Sequence, residues 1–445
     1  MSSVVDPIQT GNPRSTASGI LPPVPESLEE LAIPPTIVEQ LLLKYLYFRG
    51  ELMGREMGSL LGLSFSLIDE LLETLKRQHH VGVKKSLGMG NMSGIFALTE
   101  SGRALAREHL SNNQYAGPAP VPLYQYAEVV RRQRLADNWL SPQSLLEAFK
   151  HLVVEDDILA QIGPAVNASK SFLIYGQPGN GKTALAESLF GVNTEPIFMP
   201  YALECQGNII QMYDPIYHQR IDTQETEISA LSTELPYDGR WFKCRRPFII
   251  TGGELTLDML DLSYNPHSKV YDAPFQLKAN NGIYLIDDFG RQKANPAEIL
   301  NRWIVPMERH IDYLTFHAGG KMTVPFEAFL IFSTNLRPDQ LGDEAFLRRI
   351  QYKMFLRSPK RPEFTHIFRR VADAKKLECP EEVVDGFIEK HYVAGDKRFR
   401  RCHPRDVIMH AIDIINFESL PMALTEDVLD RAFQSCFVEN IDVND

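Results

Sequence analysis

The chain has 445 residues, a formal net charge of −11 at pH 7, and 44% hydrophobic and 23% charged residues. This length exceeds one compact core and predicts about two to four domains, with the composition of a soluble globular protein. The acidic balance argues against extensive contact with nucleic-acid phosphates. No apolar run reaches the ~18 residues of a membrane span, so we expect no membrane insertion.

The beginning of the chain predicts a cytoplasmic protein with a disordered tail. The first residues have neither the basic start nor the apolar core of a signal peptide. The five cysteines are scattered and form no CxxC pair, which argues against a disulfide framework or a structural zinc site. Residues 1–34 are rich in Ser, Thr and Pro and lack a periodic apolar pattern, which predicts disorder.

Residues 35–113 have the pattern of a winged helix-turn-helix domain. Three segments carry apolar residues at helical spacing, and the third is followed by a short strand that begins at Val81. A glycine-rich turn, a second strand from Ile95 and a further helix come next. Helix, helix, turn, helix and hairpin is the order of that fold. The proline-containing residues 114–138 are expected to be a linker.

The charges of the predicted winged domain bear on its ligand. Residues 36–110 contain nine Lys or Arg and eight Asp or Glu. The candidate recognition helix carries Asp69, Glu70 and Glu73 near its beginning, where these acids would repel DNA phosphates. We therefore favour docking of a protein on this domain, with DNA binding as the less favoured alternative and a purely structural role as the third.

A phosphate-binding loop follows the linker. Residues 171–175 read as a short apolar strand, residues 176–183 as GQPGNGKT, and a helix begins directly afterwards. This is G-x-x-x-x-G-K-[ST] between a strand and a helix, where backbone N–H groups face phosphates. In this motif Lys182 contacts the β- and γ-phosphates and the Thr183 hydroxyl ligates Mg²⁺. The predicted nucleotide-binding residues are Gly176, Pro178, Gly179, Asn180, Gly181, Lys182, Thr183 and Ala184.

Two adjacent acids, Asp287 and Asp288, end a later apolar strand. Carboxylates in such a place are costly unless a cation meets them. We expect Asp287 to hold Mg²⁺ through water, and Asp288 to orient or deprotonate the attacking water. No Asn-Lys-x-Asp element that reads guanine occurs, so ATP and Mg²⁺ are the expected ligands.

The distance along the chain between the loop and these acids predicts an insertion. Two crossover units need roughly 60 residues, and the surplus falls at about residues 204–271. The insertion is either a structural elaboration packed on the core or a loop that engages a partner.

The order of these motifs resembles the AAA+ ATPases. A predicted hairpin at residues 313–325 is typical of the branch with MoxR-like chaperones, magnesium chelatases and enhancer-binding activators. From about Pro34 the chain is similar to bacterial predicted ATPases with chaperone activity that are associated with Flp pilus assembly, through phrases such as GGELTL and NRWIVP. The elements that follow one another as in AAA+ ATPases are the phosphate-binding loop, Asp287 with Asp288, Asn335, Arg348 with Arg349, and Arg405.

This resemblance implies further site residues. Asn335 would sense the γ-phosphate and help to place the water. Arg348 or Arg349 would reach the ATP of a neighbouring subunit as an arginine finger, and Arg405 would contact ATP in its own subunit. Most of the family has Glu at the position of Asp288, and this shorter acid leaves the rate of hydrolysis open.

The resemblance also implies the architecture. We expect an α/β protein with a P-loop AAA+ parallel-sheet core at residues 139–358, a C-terminal helical lid at residues 359–445, and the winged helix-turn-helix domain before the core. The expected function is ATP turnover coupled to remodelling or assembling a protein partner, in a homo-oligomer such as a hexamer-like ring. Two alternatives remain: an ATP-responsive DNA-binding regulator, and a nucleotide-gated scaffold with little turnover.

Overall fold

The computed structural model describes residues 21–85, 90–135, 139–168, 171–192, 195–221, 236–341 and 347–437. Residues 1–20 of the predicted tail, 136–138 of the predicted linker, 222–235 of the predicted insertion and 438–445 of the predicted lid lie outside these ranges. None of the described helices has the length and apolar character that crossing a membrane requires.

The helices are α1 (Leu28–Leu31), α2 (Pro35–Arg49), α3 (Gly54–Leu61), α4 (Phe65–Arg77), α5 (Glu100–Asn112), α6 (Leu123–Arg132), α7 (Pro142–Phe149), α8 (Asp156–Asn167), α9 (Lys182–Phe190), α10 (Phe275–Lys278), α11 (Pro296–Arg302), α12 (Ile304–Arg309), α13 (Arg361–Ala374), α14 (Glu381–Ile388), α15 (His403–Glu418) and α16 (Glu426–Cys436). The strands are β1 (Glu51–Met53), β2 (Val81–Lys85), β3 (Ile95–Leu98), β4 (Val121–Pro122), β5 (Phe172–Tyr175), β6 (Ile197–Pro200), β7 (Ala202–Cys205), β8 (Asn208–Gln211), β9 (Trp241–Cys244), β10 (Phe248–Thr251), β11 (Ser263–Asn265), β12 (Val270–Asp272), β13 (Ile283–Ile286), β14 (Ile311–Thr315), β15 (Lys321–Pro325), β16 (Phe329–Thr334) and β17 (Tyr352–Phe355).

Helices α2 to α5 and strands β1 to β3 form one helical unit with a small sheet. The sheet is antiparallel in the order β1-β3-β2. Leucines at helical spacing, such as Leu42, Leu61 and Leu72, are completely buried in a shared core. The elements follow the order of the predicted helices and strands, with the short strand β1 added. That this unit acts as a winged helix-turn-helix domain stays a prediction.

A five-stranded parallel sheet forms the centre of the chain, in the order β10-β13-β16-β5-β17. All residues of β16 are buried, as expected for a parallel sheet that is covered on both faces. In such a sheet the carboxyl ends of the strands meet at one edge, where ligands bind. Here that edge brings together the loop after β5, the acids after β13 and Asn335 after β16.

A second five-stranded sheet has the order β11-β12-β8-β7-β4. Strand β4 and helix α6 fall in the predicted linker, and α6 buries Tyr126 and Val130. That segment is therefore packed into the core, because its apolar residues recur at helical spacing. The predicted insertion also contains β10, a strand of the central sheet, so the inserted residues lie on both sides of β10.

Residues 21–34, which the composition assigns to the tail, are packed as well. Leu31 and Ile33 are buried. Arg240, which is 1% exposed, forms an ion pair of 2.8 Å with Asp238 and donates to the Leu31 carbonyl at 3.3 Å. A buried guanidinium requires such acceptors, so this contact joins the start of the described chain to the residue that precedes β9.

Strands β14 and β15 form an antiparallel hairpin around Gly319, as the sequence predicts. Its apolar side chains, including Leu314 and Met322, pack into the core of the second sheet. At the tip, the His317 ring stacks on Tyr264 with 5.2 Å between ring centroids. The hairpin is therefore held against the second sheet along its length.

Helices α13 to α16 form a helical unit after the central sheet. Phe364, Phe368, Val407 and Leu429 are completely buried in its core. The unit follows β17 directly, and α13 and the beginning of α15 border the cavity described next. Its action as a lid stays a prediction.

Candidate nucleotide-binding site

A cavity of about 1060 Å³ lies at the carboxyl edge of the central sheet. One end is apolar and is bordered by the segment before α8 and by α13. The other end is polar and is bordered by the phosphate-binding loop and the strand ends. A ligand with a planar apolar part and an anionic part suits such a cavity. The apolar wall contains Leu152, Val153, Val154, Ile367 and Val371, and the polar end contains Pro178, Lys182, Thr183, Ala184, Asp287, Asp288 and Asn335.

The phosphate-binding loop wraps closely against neighbouring segments. A Cβ atom at Gly176 would lie 2.4 Å from the Leu356 carbonyl oxygen, and one at Gly179 would lie 2.6 Å from the Cys402 sulfur. Gly179 also has a φ of +78°, a value that side chains disfavour. The motif therefore needs glycine at both positions to keep this loop conformation.

The loop presents backbone donors to the cavity. No acceptor among the described residues takes up the N–H groups of Gly179, Gly181 or Lys182. Helix α9 begins at Lys182, and the first N–H groups of a helix have no partner within it. Unpaired N–H groups at a helix N-terminus are a binding site for phosphate. The backbone thus fits an anionic ligand at this end.

The Asn180 side chain is hydrogen-bonded to neighbouring segments and fixes the loop. It is 1% exposed and donates to the Ser358 hydroxyl at 3.3 Å and to the Leu356 carbonyl at 3.4 Å. Asn180 therefore supports the conformation of the loop through its side chain.

The Lys182 side chain is held inside the loop. Its Nζ donates to two loop carbonyl groups at 3.1 and 3.2 Å and to Asn335 Oδ1 at 2.7 Å. Burial lowers the pKa of Lys182, and the nearby carboxylates of Asp287 and Asp288 oppose this effect. Three acceptors around one ammonium group keep it at the position where the motif requires a cation.

The two adjacent acids are each connected to the loop. The Thr183 hydroxyl donates to Asp287 Oδ2 at 2.8 Å. Asn335 Nδ2 donates to Asp288 Oδ1 at 2.8 Å, while its Oδ1 accepts from Lys182. The structure thus brings together five predicted site residues in two hydrogen-bonded groups. Their chemical roles stay predictions.

The oxygen donors fit Mg²⁺. Among the described residues there is no group of three or more His, Cys, Asp or Glu side chains that could hold a metal ion. Mg²⁺ does not need such a group, because it binds through one or two protein oxygens together with phosphates and water. The Thr183 hydroxyl and the Asp287 carboxylate supply those oxygens beside the phosphate-binding loop.

Arg405 borders the cavity from the start of α15. Its side chain is 69% exposed and pairs with Asp406 at 3.0 Å. Sequence reasoning missed Arg401, which donates to Glu155 at 2.6 Å and to the Val153 carbonyl at 2.6 Å. The dense run of arginines before α15 was the available signal. Arg401 braces the apolar wall of the cavity.

Arg348 and Arg349 do not border the cavity of their own chain. The Arg349 carbonyl accepts from the Ser171 hydroxyl at 3.2 Å, and its side chain pairs with Glu308 at 2.6 Å. Ser171 precedes β5, whereas the phosphate-binding loop follows it. Four strand residues span roughly 13 Å. Both arginines therefore lie at the opposite edge of the sheet from the predicted phosphate site.

Comparison with known proteins finds one sequence family. Residues 360–435 match a family described as a domain of unknown function, DUF8689. The match covers α13 to α16 and no part of the central sheet. A search of curated proteins finds no match to this chain.

Solved structures give distant similarities. The structure of NtrX from Brucella abortus is 12% identical, with a TM-score of 0.40 over 67% of this chain and 58% of that chain. NtrX from the same organism in complex with ATP is 10% identical, with a TM-score of 0.38 over 81% of this chain and 73% of that chain. A RuvB mutant from Thermotoga maritima is 13% identical, with a TM-score of 0.35 over 68% and 73%.

Proposed function

We propose that this chain is an AAA+ ATPase that binds ATP with Mg²⁺ in the cavity and hydrolyses it. The observation that carries the proposal is the pair of hydrogen-bonded groups at the polar end. Thr183 is joined to Asp287, and Lys182 is joined through Asn335 to Asp288. Each group connects the phosphate-binding loop to a strand end, and this arrangement supports the proposed roles of a cation, a pair of Mg²⁺ ligands and an acid in one site.

The residues divide the chemistry among them. Lys182 exchanges its carbonyl contacts for phosphate oxygens, and Thr183 with Asp287 holds Mg²⁺, which when bound neutralises charge on the phosphates. Asp288 accepts a proton from the attacking water, and Asn335 keeps the Asp288 carboxylate oriented. Water adds to the γ-phosphorus as the bond to the β-phosphate oxygen breaks, which yields ADP and phosphate.

Replacing Lys182 tests nucleotide binding. We expect Lys182→Ala to bind no ATP at physiological concentrations, because the phosphates lose their main cation. Calorimetric titration of ATP with Mg²⁺ into the full chain measures this. Lys321→Ala serves as a matched control, since Lys321 is an exposed hairpin residue outside the cavity. Equal ATP affinity of Lys182→Ala and the parent chain would rule out the proposed site.

We propose that the unit formed by α2 to α5 and β1 to β3, the predicted winged helix-turn-helix domain, docks a protein. Asn91 donates to Asp69 at 2.7 Å and to Glu73 at 2.6 Å, so the acidic side of α4 is engaged within the unit. The nearby cations Lys76 and Lys84 form ion pairs with acids of the same unit. These pairs reduce the positive charge available to DNA phosphates. DNA binding is therefore the second candidate.

The biological role extends this proposal. ATP turnover serves to remodel or assemble a protein partner in a chaperone-like manner, in a pilus or secretion setting, as the resemblance implies. A homo-oligomeric ring would serve this role. Arg348 and Arg349 do not border the cavity of their own chain, and the resemblance implies that one of them reaches the ATP of a neighbouring subunit. A nucleotide-gated scaffold with little turnover is the alternative, and the rate of phosphate release distinguishes the two.

A further inference from the structure

The cations that border the cavity differ in whether their side chains are already bonded. Arg370 donates to the Leu152 carbonyl, and Lys182, Arg401 and Arg405 have the partners given above. Within the described parts of the chain, the side chains of Arg291 and Lys375 alone among the cavity's lysines and arginines have no hydrogen bond or ion pair. These two residues are the cations that the cavity leaves available to a ligand.

Their positions assign them to different ends of the cavity. Lys375 follows the last residue of α13, the helix that borders the apolar wall. Arg291 lies three residues after Asp288, in the turn that leaves β13, and is exposed. Arg291 is therefore the available cation at the polar end.

The turn that carries Arg291 has a fixed backbone. The Arg291 N–H donates to the Asp288 carbonyl at 3.0 Å. Gln292 is 9% exposed, donates to the Asp287 carbonyl at 2.9 Å and accepts from the Gly290 N–H at 2.8 Å. The Gln292 side chain ties the turn to Asp287, and the Arg291 N–H ties it to Asp288. A short fixed segment therefore holds Arg291 beside the two acids.

We propose that Arg291 is a catalytic residue that contacts the terminal phosphate of ATP in its own subunit. This inference rests on the proposed function. Negative charge on the phosphoryl oxygens is stabilised by a guanidinium, which offers several donors in one plane. Arg348 and Arg349 lie at the other edge of the sheet, and Arg405 borders the cavity but pairs with Asp406. Among the described arginines that border the cavity, Arg291 is therefore the one whose side chain has no partner and can act on this charge.

Binding and turnover of Arg291→Ala test the proposal. We expect the variant to lose about 10³-fold or more in turnover at saturating ATP, as arginines in this role do. ATP affinity should fall about tenfold relative to ADP affinity, because ADP lacks the phosphate that Arg291 contacts. Lys293→Ala is the matched control: Lys293 is exposed in the same loop and does not border the cavity. Arg291→Lys should recover part of the turnover.

Each other outcome has a distinct meaning. Arg291→Ala with parental turnover and a parental ratio of ATP to ADP affinity would overturn the inference while the proposed function stands. An equal loss of ATP and ADP affinity, or a changed circular dichroism spectrum also in Arg291→Gln, would overturn it by showing a structural role. A parent chain that neither binds nor hydrolyses ATP would remove the proposed function, and the inference with it.

Mixing distinguishes contact within a subunit from contact between subunits. Arg291→Ala and Asp287→Ala chains are combined, and phosphate release is measured. If Arg291 acts in its own subunit, no interface regains a complete site, and the mixture stays inactive. Recovery of turnover would contradict the assignment to the same subunit.

Discussion

The proposed hydrolysis of ATP depends on Asp288. Its φ is +46°, a backbone conformation that Asp and Asn adopt more readily than most residues. Its N–H donates to Asp287 Oδ1 at 3.0 Å, and its carboxylate accepts from Asn335. The acid is thus positioned by the backbone of one strand end and by the amide of the next.

Asp288→Asn should bind ATP and fail to hydrolyse it. Asparagine suits the same backbone conformation, so the fold should persist, while the amide cannot accept the proton of the water. Single-turnover phosphate release with prebound ATP measures the effect. Asp288→Glu, which restores the acid usual in the resembling family, should keep or raise turnover. An Asn variant as fast as the parent chain would show that Asp288 is not the base.

For individual residues, the sequence predicted the parts of the site whose residues are close together along the chain. The spacing of residues 176–183 identified the loop, and a strand pattern before Asp287 identified the acids. It did not reveal Arg401, because its partner Glu155 is far away in the sequence. The proposed role of Arg291 was missed for a related reason: the sequence does not show that Arg291 borders the cavity, or that its side chain has no partner among the described residues.

Helix α15 begins at His403, between Cys402 and Arg405, which both border the cavity. His403 Nδ1 lies 3.2 Å from the Tyr392 hydroxyl. Burial first, and then the cations Lys397 and Arg400, lower the pKa of His403 to about 4, while Asp406 opposes this shift. At a pH between about 4 and ~6.5, the imidazole of His403 is therefore neutral in the folded chain and protonated in the unfolded chain.

This shift predicts a pH dependence of stability. Because the unfolded state binds the proton more readily, the contribution of His403 is present above pH ~6.5 and is lost as the pH falls towards about 4. The melting temperature of the parent chain should drop more steeply over this window than that of His403→Gln. Melting temperatures of both chains are measured over this pH range, and the difference between them removes the effect of other titrating groups. The same dependence of melting temperature on pH in both chains would contradict the prediction.

The elements that the sequence predicted well are those with local contacts. The hairpin is one, since Thr315 pairs with Lys321 across a glycine turn. The second sheet was not predicted, because its edge strand β4 pairs Val121 with Leu203, a partner that no local pattern identifies. The segment that was expected to be a linker is part of the core, because α6 buries Tyr126.

For the whole molecule, the position of Arg348 and Arg349 predicts complementation between subunits. The double variant Arg348→Ala/Arg349→Ala keeps its own site, and Asp287→Ala keeps its arginines. Neither should hydrolyse ATP alone, but mixed assemblies join an intact site to intact arginines, and phosphate release should return. Loss of the partly exposed Arg349–Glu308 pair costs only about 0–1 kcal/mol, so the variant should fold. A mixture that co-assembles by light scattering and stays inactive would contradict the prediction.

Phosphate release by the purified full chain tests whether this protein hydrolyses ATP. With ATP and Mg²⁺, the parent chain should release phosphate over many turnovers, at a rate per subunit that rises with protein concentration as neighbouring sites form. Asp287→Ala, which removes the carboxylate bonded to Thr183, should fall to the buffer rate. A parent chain that binds ATP yet releases phosphate no faster than Asp287→Ala would contradict the ATPase assignment and identify a nucleotide-gated scaffold.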